Sequence, residues 1–482
     1  MNYRMIFYTV GRVLRIECIM LLLPAVVSLI YGEYFGALSL LIAAVIALAV
    51  GYVLLLTLKP KSTMVFAKEG LITVSLAWIF MSLIGALPFV ISQEIPSYID
   101  ALFETVSGFT TTGASILTDV TQMSKGMLFW RSFTHWIGGM GILVFVIALS
   151  QKSPDRSMNI LRAEMPGPIV DKLVPKARDT AKILYLIYIG MTVLMMIFLL
   201  CGGMTLYESA VHALATAGTG GFGIKADSVG SYSPYIQWVI AIFMLLFGVN
   251  FNLYYLILIR KARLALSSSE LRTYLIVVLI SVAVICGNIY SMCKTFEETL
   301  RLSVFQVAAV VTTTGFSTAN FDAWPQLSRT ILVLLMFMGG CAGSTAGGLK
   351  VSRVMILFKK IGSELKKAVH PRSVNIVKSE GKRVEDSTLD SVGTYFAVYI
   401  ISILFIFLLL SIESGFNFET NFTAAVSCFN NIGPGLGAVG PMGSYAGYSV
   451  FSKLVLTFGM LLGRLEIYPL LIMLIPRTWI RK

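Results

Sequence analysis

The chain has 482 residues, of which 56% are apolar (Ala, Val, Ile, Leu, Met, Phe, Trp, Tyr and Cys) and only 13% charged, with a formal net charge of +13. Soluble proteins carry roughly 25% charged residues, and a water-soluble body of this composition would have to expose large apolar patches. A soluble enzyme and a disordered chain are both excluded, and the composition is that of a polytopic membrane protein.

The first apolar run follows Arg4, Arg12 and Arg15, as in a signal peptide. No small-residue cleavage site then leads into a soluble domain, so we read it as a retained span. A bilayer core of about 30 Å needs roughly 20 apolar residues in helix. Candidate spans lie at 15–31, 37–57, 71–92, 130–150, 181–202, 236–259, 273–292, 328–358, 391–412 and 447–475. Between them sit four shorter segments, 98–112, 206–217, 300–314 and 417–432, each closed by a glycine-containing turn. They have the length of re-entrant half-helices rather than spans.

Basic residues fix the orientation. They crowd the loops 57–69, 151–180, 260–272 and 353–390 and the tail from Arg477, which marks these as cytoplasmic and places both termini inside. The opposite side carries Glu94, Asp100, Glu104, Asp119, Glu208, Asp227, Glu297, Glu298, Asp322, Glu413 and Glu419, which predicts an acidic outer vestibule. The positive charge therefore reports membrane topology and not attraction to nucleic acid. The six cysteines are scattered, with no CxxC pair, and read as small buried hydrophobes. Of the three histidines, His212 falls in the second short segment as a packed, hydrogen-bonded residue, whereas Arg131 and His135 read as interfacial near the outer end of their span.

The four short segments are copies of one unit. They end as FETVSGFTTTGAS, HALATAGTGGFG, AAVVTTTGFST and AVSCFNNIGPGLG, and they recur about every 100 residues. Aligned on one glycine they give Thr111-Thr112-Gly113, Thr216-Ala217-Gly218, Thr313-Thr314-Gly315 and Asn431-Ile432-Gly433. A dehydrated cation needs oxygens in place of its water, and backbone carbonyls supply them without trapping it. Turning carbonyls toward an axis from an extended loop needs backbone angles that glycine reaches freely. Irregular backbone at membrane depth is tolerated only where protein encloses a wet cavity. A half-helix entering from outside also aims its partly negative C-terminal end at the centre. The fold class expected is therefore an all-α polytopic membrane protein, with four membrane–pore–membrane repeats around a central pore and two extra N-terminal helices. The divisions are 1–68 for the N-terminal pair, then repeats at 69–152, 178–262, 268–362 and 388–482.

Two features lie beyond the filter strings. Gly339, Gly340, Gly343, Gly347 and Gly348 fall in ten residues midway through a long apolar run. At about 1 kcal/mol each against helix, they should break it, either as a kink for packing or as a loop beneath the filter. Arg464 interrupts another apolar run, and an arginine at the bilayer centre costs at least about 2.5 kcal/mol. It therefore either faces an internal water-filled path, where its charge opposes cation passage, or pairs with Glu466 or another carboxylate.

The fourfold repeat with one key glycine in each resembles the Trk/Ktr/HKT superfamily of potassium transporters. The extra N-terminal spans and the strings TTTGAS, TTTGFST, GGCAGSTAGGLK and GRLEIYP are similar to its bacterial TrkH-type subunits. The resemblance implies potassium as the transported ion and a location in the bacterial cytoplasmic (inner) membrane. It also implies a homodimer, and a separate cytosolic nucleotide-binding regulatory subunit of the TrkA type. It implies a gate formed by Gly339, Gly340, Gly343, Ser344, Thr345, Gly347, Gly348 and Lys350, and we read Arg464 from its buried charge as part of that gate below the filter. Serine at the first filter position goes with sodium preference in plant relatives, and Gly113 keeps the potassium pattern. Asn431, Ile432 and Pro434 depart from the threonine-rich pattern and point to looser selectivity. The competing reading is a sodium- or proton-coupled carrier. Against it stand four parallel repeats and filter strings without Asp or Glu. No catalytic constellation and no P-loop is present, so an enzyme is not expected.

Overall fold

The computed structural model describes residues 1–60, 66–141, 177–372 and 375–479. The second half of the expected span 130–150 and most of the expected inner loop 151–180 lie outside these residues.

Helices α1 (Tyr3–Ile30) and α2 (Tyr34–Thr57) form an antiparallel N-terminal pair. A β-carbon on Gly11 would stand 2.9 Å from the Gly51 carbonyl oxygen, so the two backbones nearly touch where they cross. Leu38, Val45, Val53 and Leu56 of α2 face outward, as a lipid-facing surface requires. At the α1–α2 turn the Glu33 carboxylate accepts the backbone N–H groups of Lys125 and Gly126. That contact attaches the pair to the first turn of the helix that begins at Lys125.

Four units follow. The first is α3 (Ala67–Gly85) with α4 (Leu87–Ile91), half-helix α5 (Tyr98–Phe109) and α6 (Lys125–Gly139). The second is α7 (Ala177–Cys201), half-helix α8 (Leu206–Ala217), and α9 (Pro234–Phe247) with α10 (Phe251–Leu258). The third is α11 (Ser269–Ile289), half-helix α12 (Phe296–Val311), and α13 (Gln326–Met338) with α14 (Val351–Val369). The fourth is α15 (Asp386–Leu410), half-helix α16 (Phe418–Phe429), and α17 (Val450–Arg464) with α18 (Tyr468–Leu474). Asp100, Glu208, Glu297 with Glu298, and Glu419 lie in the first turns of the half-helices, where the helix dipole favours an anion.

Among the described residues six helices are single apolar spans, including Tyr3–Ile30, Ala67–Ile91 and Asp386–Leu410. Three of the ten expected spans differ. The run expected as one span at 236–259 bends by 92° between α9 and α10. Gly248 caps α9, and the Asn250 side chain accepts the Asn252 N–H to start α10. The run at 328–358 is interrupted by the loop 339–350, as its glycines predict. The run at 447–475 stops at Arg464, because Glu466 and Ile467 both take positive φ before Pro469 restarts a helix. Both ends of the described chain meet on one side, with the Tyr3 and Trp479 rings stacked 6.1 Å apart and the Asn2 N–H on Glu69 at 2.8 Å.

Candidate ion pathway

Each half-helix delivers a strand with the same backbone signature. Thr111, Thr219, Thr313 and Asn431 take φ of 55–57°, and two residues on Gly113, Gly221, Gly315 and Gly433 take φ of 77°, 78°, 79° and 100°. A β-carbon on Gly113 would lie 2.1 Å from the Gly220 carbonyl oxygen, and on Gly221 2.0 Å from that of Thr314. On Gly315 it would lie 1.9 Å from the Ile432 carbonyl oxygen, and on Gly433 2.7 Å from that of Thr112. The four strands thus close a ring in chain order. The carbonyl of the residue before each glycine abuts the glycine of the preceding strand. One open cavity is lined by all four glycines.

The second strand corrects the alignment drawn from sequence. Thr216 and Ala217 are the last residues of α8, and Gly218 is its cap with φ −71°. Gly218 packs on the His135 carbonyl instead of the ring. The ring residues are Thr219, Gly220 and Gly221, three positions later. The string TAGTGG offers two threonine–x–glycine triplets, and the Gly-Phe pair shared by Gly221-Phe222 and Gly315-Phe316 marks the right one.

Repeats 1 and 3 are stiffened alike. The Thr110 and Thr112 hydroxyls lie 2.7 Å apart, as do those of Thr312 and Thr314. The fourth strand is held differently: the Asn431 amide donates to Thr112 Oγ1 at 2.9 Å and to the Met460 carbonyl at 3.0 Å. The Tyr445 hydroxyl donates to the Gly433 carbonyl at 2.7 Å. The Thr111 hydroxyl and Asn431 Oδ1 are buried oxygens with no hydrogen-bond partner among the described residues.

Arg131 and His135, expected at the interface, are instead buried behind the ring at 3% and 0% exposure. Arg131 pairs with Glu104 of α5 at 2.6 Å, and Glu104 also accepts the Ser115 hydroxyl and the Ile116 N–H. The Arg131 guanidinium lies 4.0 Å from the Phe222 ring, and His135 stacks on that ring at 4.2 Å. One cation thus braces the strands of repeats 1 and 2. The vestibule also differs from expectation. The cavity over the ring is lined by Arg131 and Lys225 and, among the described residues, by no carboxylate. Glu104, Asp100, Asp322 and Glu419 are engaged by Arg131, Lys453 and, for the last two, Arg329. His212 bonds the Glu208 carbonyl within α8, as a packed residue does.

The loop 339–350 lies directly against the ring. The Gly347 N–H donates to Thr313 Oγ1 at 2.6 Å, and a β-carbon on Gly347 would meet the Asn430 carbonyl at 2.5 Å. Gly339 and Gly348, both at positive φ, bring the two limbs back to back. The break between α9 and α10 receives the loop: the Cys341 N–H donates to the Gly248 carbonyl and the Phe251 N–H to the Gly343 carbonyl. The Thr345 hydroxyl reaches the Phe247 carbonyl, and the Ser344 hydroxyl the Cys341 carbonyl. The Gly340 carbonyl accepts the Val351 N–H, and buried Lys350 donates to the Ala346 carbonyl. Arg464 donates to the Thr345 carbonyl at 2.9 Å and to the Gly138 and Gly139 carbonyls at 2.5 and 2.7 Å. It therefore ties the loop to the end of α6. Glu466, the expected alternative partner of Arg464, pairs with Arg353 at 2.5 Å.

This arrangement defines a class: multi-spanning helical membrane proteins in which four re-entrant loops enclose an axial ring. The TrkH family of cation transport proteins matches residues 38–479. The potassium uptake protein TrkH of Salmonella typhimurium is 36% identical over 99% of this chain and 100% of its own length. That of Escherichia coli K12 is 34% identical with the same coverage. The crystal structure of the potassium transporter TrkH from Vibrio parahaemolyticus superposes with a TM-score of 0.89 at 30% identity, covering 100% of both chains. The chain belongs to the TrkH family, a family of transporters and not of enzymes.

Proposed function

We propose that this chain takes up potassium across the bacterial cytoplasmic membrane through the ring of Gly113, Gly221, Gly315 and Gly433. The observation that carries the reading is the closed succession of four glycines, each too near a neighbouring carbonyl to admit a side chain. Such a ring presents carbonyl oxygens without fixed charge, the chemistry that replaces the hydration of an alkali cation and still releases it. Potassium is the cargo that the relatives' names state.

The loop 339–350 and Arg464 form the gate beneath that ring. Gly347 touches Thr313, and Arg464 adds a fixed positive charge below the filter strand. Both termini are cytoplasmic, as the shared side of Tyr3 and Trp479 and the basic loops support. A cytosolic nucleotide-binding subunit acts on the basic inner face. A second copy covers the outward stripe Phe358, Ile361, Leu365 and Val369 of α14, four apolar residues 55–72% exposed. Growth of a potassium-uptake-deficient bacterium on limiting potassium tests the reading. The chain should restore growth and a Gly113→Ser variant should not, whereas no rescue by a well-expressed chain together with its regulator contradicts it.

A further inference from the structure

The contacts that hold the intramembrane loop continue to the protein's surface. Glu270, in the first turn of α11, is buried, and its Oε1 accepts the N–H of Ala342 at 2.7 Å and that of Ser352 at 3.1 Å. Ala342 lies on the first limb of the loop and Ser352 follows the second, so a single carboxylate oxygen fastens both. Hydrogen bonds to an ionised acceptor are about twice as strong as neutral ones. Two of them on one atom also fail together when that atom moves.

The turn that carries Glu270 is fixed in its own right from outside. The Glu380 carboxylate accepts the Glu270 N–H at 3.0 Å, the Ser269 N–H at 3.2 Å, and the Ser269 and Ser268 hydroxyls at 2.8 and 3.1 Å. Glu380 sits at the tip of a hairpin made of β1 (Lys378–Ser379) and β2 (Lys382–Arg383). Glu380 and Gly381 both take positive φ there, as a two-residue hairpin turn requires. At the hairpin's base Val377 and Val384 pack with Ile356 of α14 and Val392 of α15. The Lys359 ammonium, also on α14, donates to the Lys378 carbonyl at 2.9 Å. A surface hairpin, the first turn of α11 and both limbs of the loop therefore form one continuous chain of contacts.

We infer that Glu270 and Glu380 are positioning residues for transport: the hairpin holds α11, α11 holds the loop closed through Glu270, and displacing the hairpin frees the loop. This rests on the reading of 339–350 as the gate. A hairpin that only stabilised the fold would alter protein yield but not the loop's accessibility. Cys341 beside Ala342 reports that accessibility, because it is fully buried while the loop is seated.

The test measures rubidium flux in vesicles holding the full chain without any regulator, and alkylation of Cys341 resolved by mass spectrometry. The proteins compared are the natural chain, Glu380→Ala, Glu270→Gln and a chain lacking residues 342–346. Glu380→Ala, at the exposed hairpin tip, should raise both flux and Cys341 alkylation by about tenfold, the consequence of losing charge-assisted hydrogen bonds. Glu270→Gln should act in the same direction, and if it fails to fold Glu380→Ala still decides. If the shortened loop raises flux while the glutamate variants leave both readouts unchanged, the positioning role is overturned and the gate stands. If the shortened loop leaves flux unchanged, the gate reading falls and this inference with it.

Discussion

Gly113 and Gly220 approach so closely that a β-carbon on the first would stand 2.1 Å from the carbonyl oxygen of the second. The contact joins repeat 1 to repeat 2, and its counterparts at Gly221–Thr314 and Gly315–Ile432 are as tight. The fourth junction, Gly433 to Thr112, is looser at 2.7 Å, and there the Asn431 amide spans to Thr112. The ring is thus least regular where its sequence departs from the threonine pattern.

Register in repeat 2 is open to direct test. Gly221→Ser places a side chain into the ring at positive φ, which costs a non-glycine residue about 1–2 kcal/mol before any clash. We expect the potassium-to-sodium uptake ratio to fall by about tenfold. Gly218→Ser meets the His135 carbonyl away from the ring, so it should lower the yield of folded protein and leave the ratio of the surviving fraction unchanged. Selectivity lost in Gly218→Ser and kept in Gly221→Ser would place the ring three residues earlier.

Arg464→Ala removes three hydrogen bonds that tie Thr345 to Gly138 and Gly139. Charged donors contribute about 1.5–3 kcal/mol each when buried, so basal rubidium flux should rise at least about tenfold. Arg464→Lys keeps the charge but not the forked geometry and should fall between. Unchanged flux in folded Arg464→Ala would remove this residue from the gate.

The Arg131–Glu104 pair should be costly to break from one side. Removing one partner of a buried ion pair costs about 3–5 kcal/mol because the other charge is left uncompensated. Arg131→Leu should lower the thermal midpoint of the detergent-solubilised protein and shift the potassium-to-sodium ratio, since Glu104 then no longer holds the Ser115 strand in place. The same midpoint as the natural protein would show that the pair does not brace the ring.

Hairpin docking through Glu380 should resist mild acid. Burial raises its pKa, but the N–H and hydroxyl donors of Glu270, Ser269 and Ser268 outweigh burial and hold the carboxyl below the ordinary glutamate range. A depressed folded pKa means the contribution is complete above the unfolded value and is lost as pH falls through the folded one. Tryptic cleavage at Lys378, Lys382 and Arg383, after brief incubation at each pH and return to neutrality with quenching of redocking, should be constant across neutral and mildly acidic pH. It should rise only below the ordinary glutamate range, whereas a rise near neutrality would contradict this titration.

Much of this organisation is legible in the sequence because membranes restrict the backbone so strongly. Four glycine strings, the interrupted run at 339–348 and Arg464 each violate helical or apolar regularity, and each lies at the ring or against the loop that touches it. The second string misleads because Gly218 and Gly221 both follow Thr-x; the Gly-Phe pair that Gly221-Phe222 shares with Gly315-Phe316 and the end of α8 at Ala217 decide between them. Arg131 and His135 were unreadable for a different reason. Their burial depends on Glu104 of α5 and on Phe222 of the second strand, which approach only in three dimensions. The 92° bend after Phe247 has the same origin, since it exists to receive the loop 339–350. The acidic outer residues were visible, but their engagement by Lys453 and Arg329 was not.

Selection of potassium by the ring of Gly113, Gly221, Gly315 and Gly433 is the proposal on which the rest depends. It is tested most directly by the potassium-to-sodium flux ratio of the purified chain in vesicles, measured beside Gly113→Ser. A ratio well above one is expected for the natural chain, falling toward one in the variant while the protein remains folded. A ratio near one in the natural chain, or one unchanged by Gly113→Ser, would contradict it.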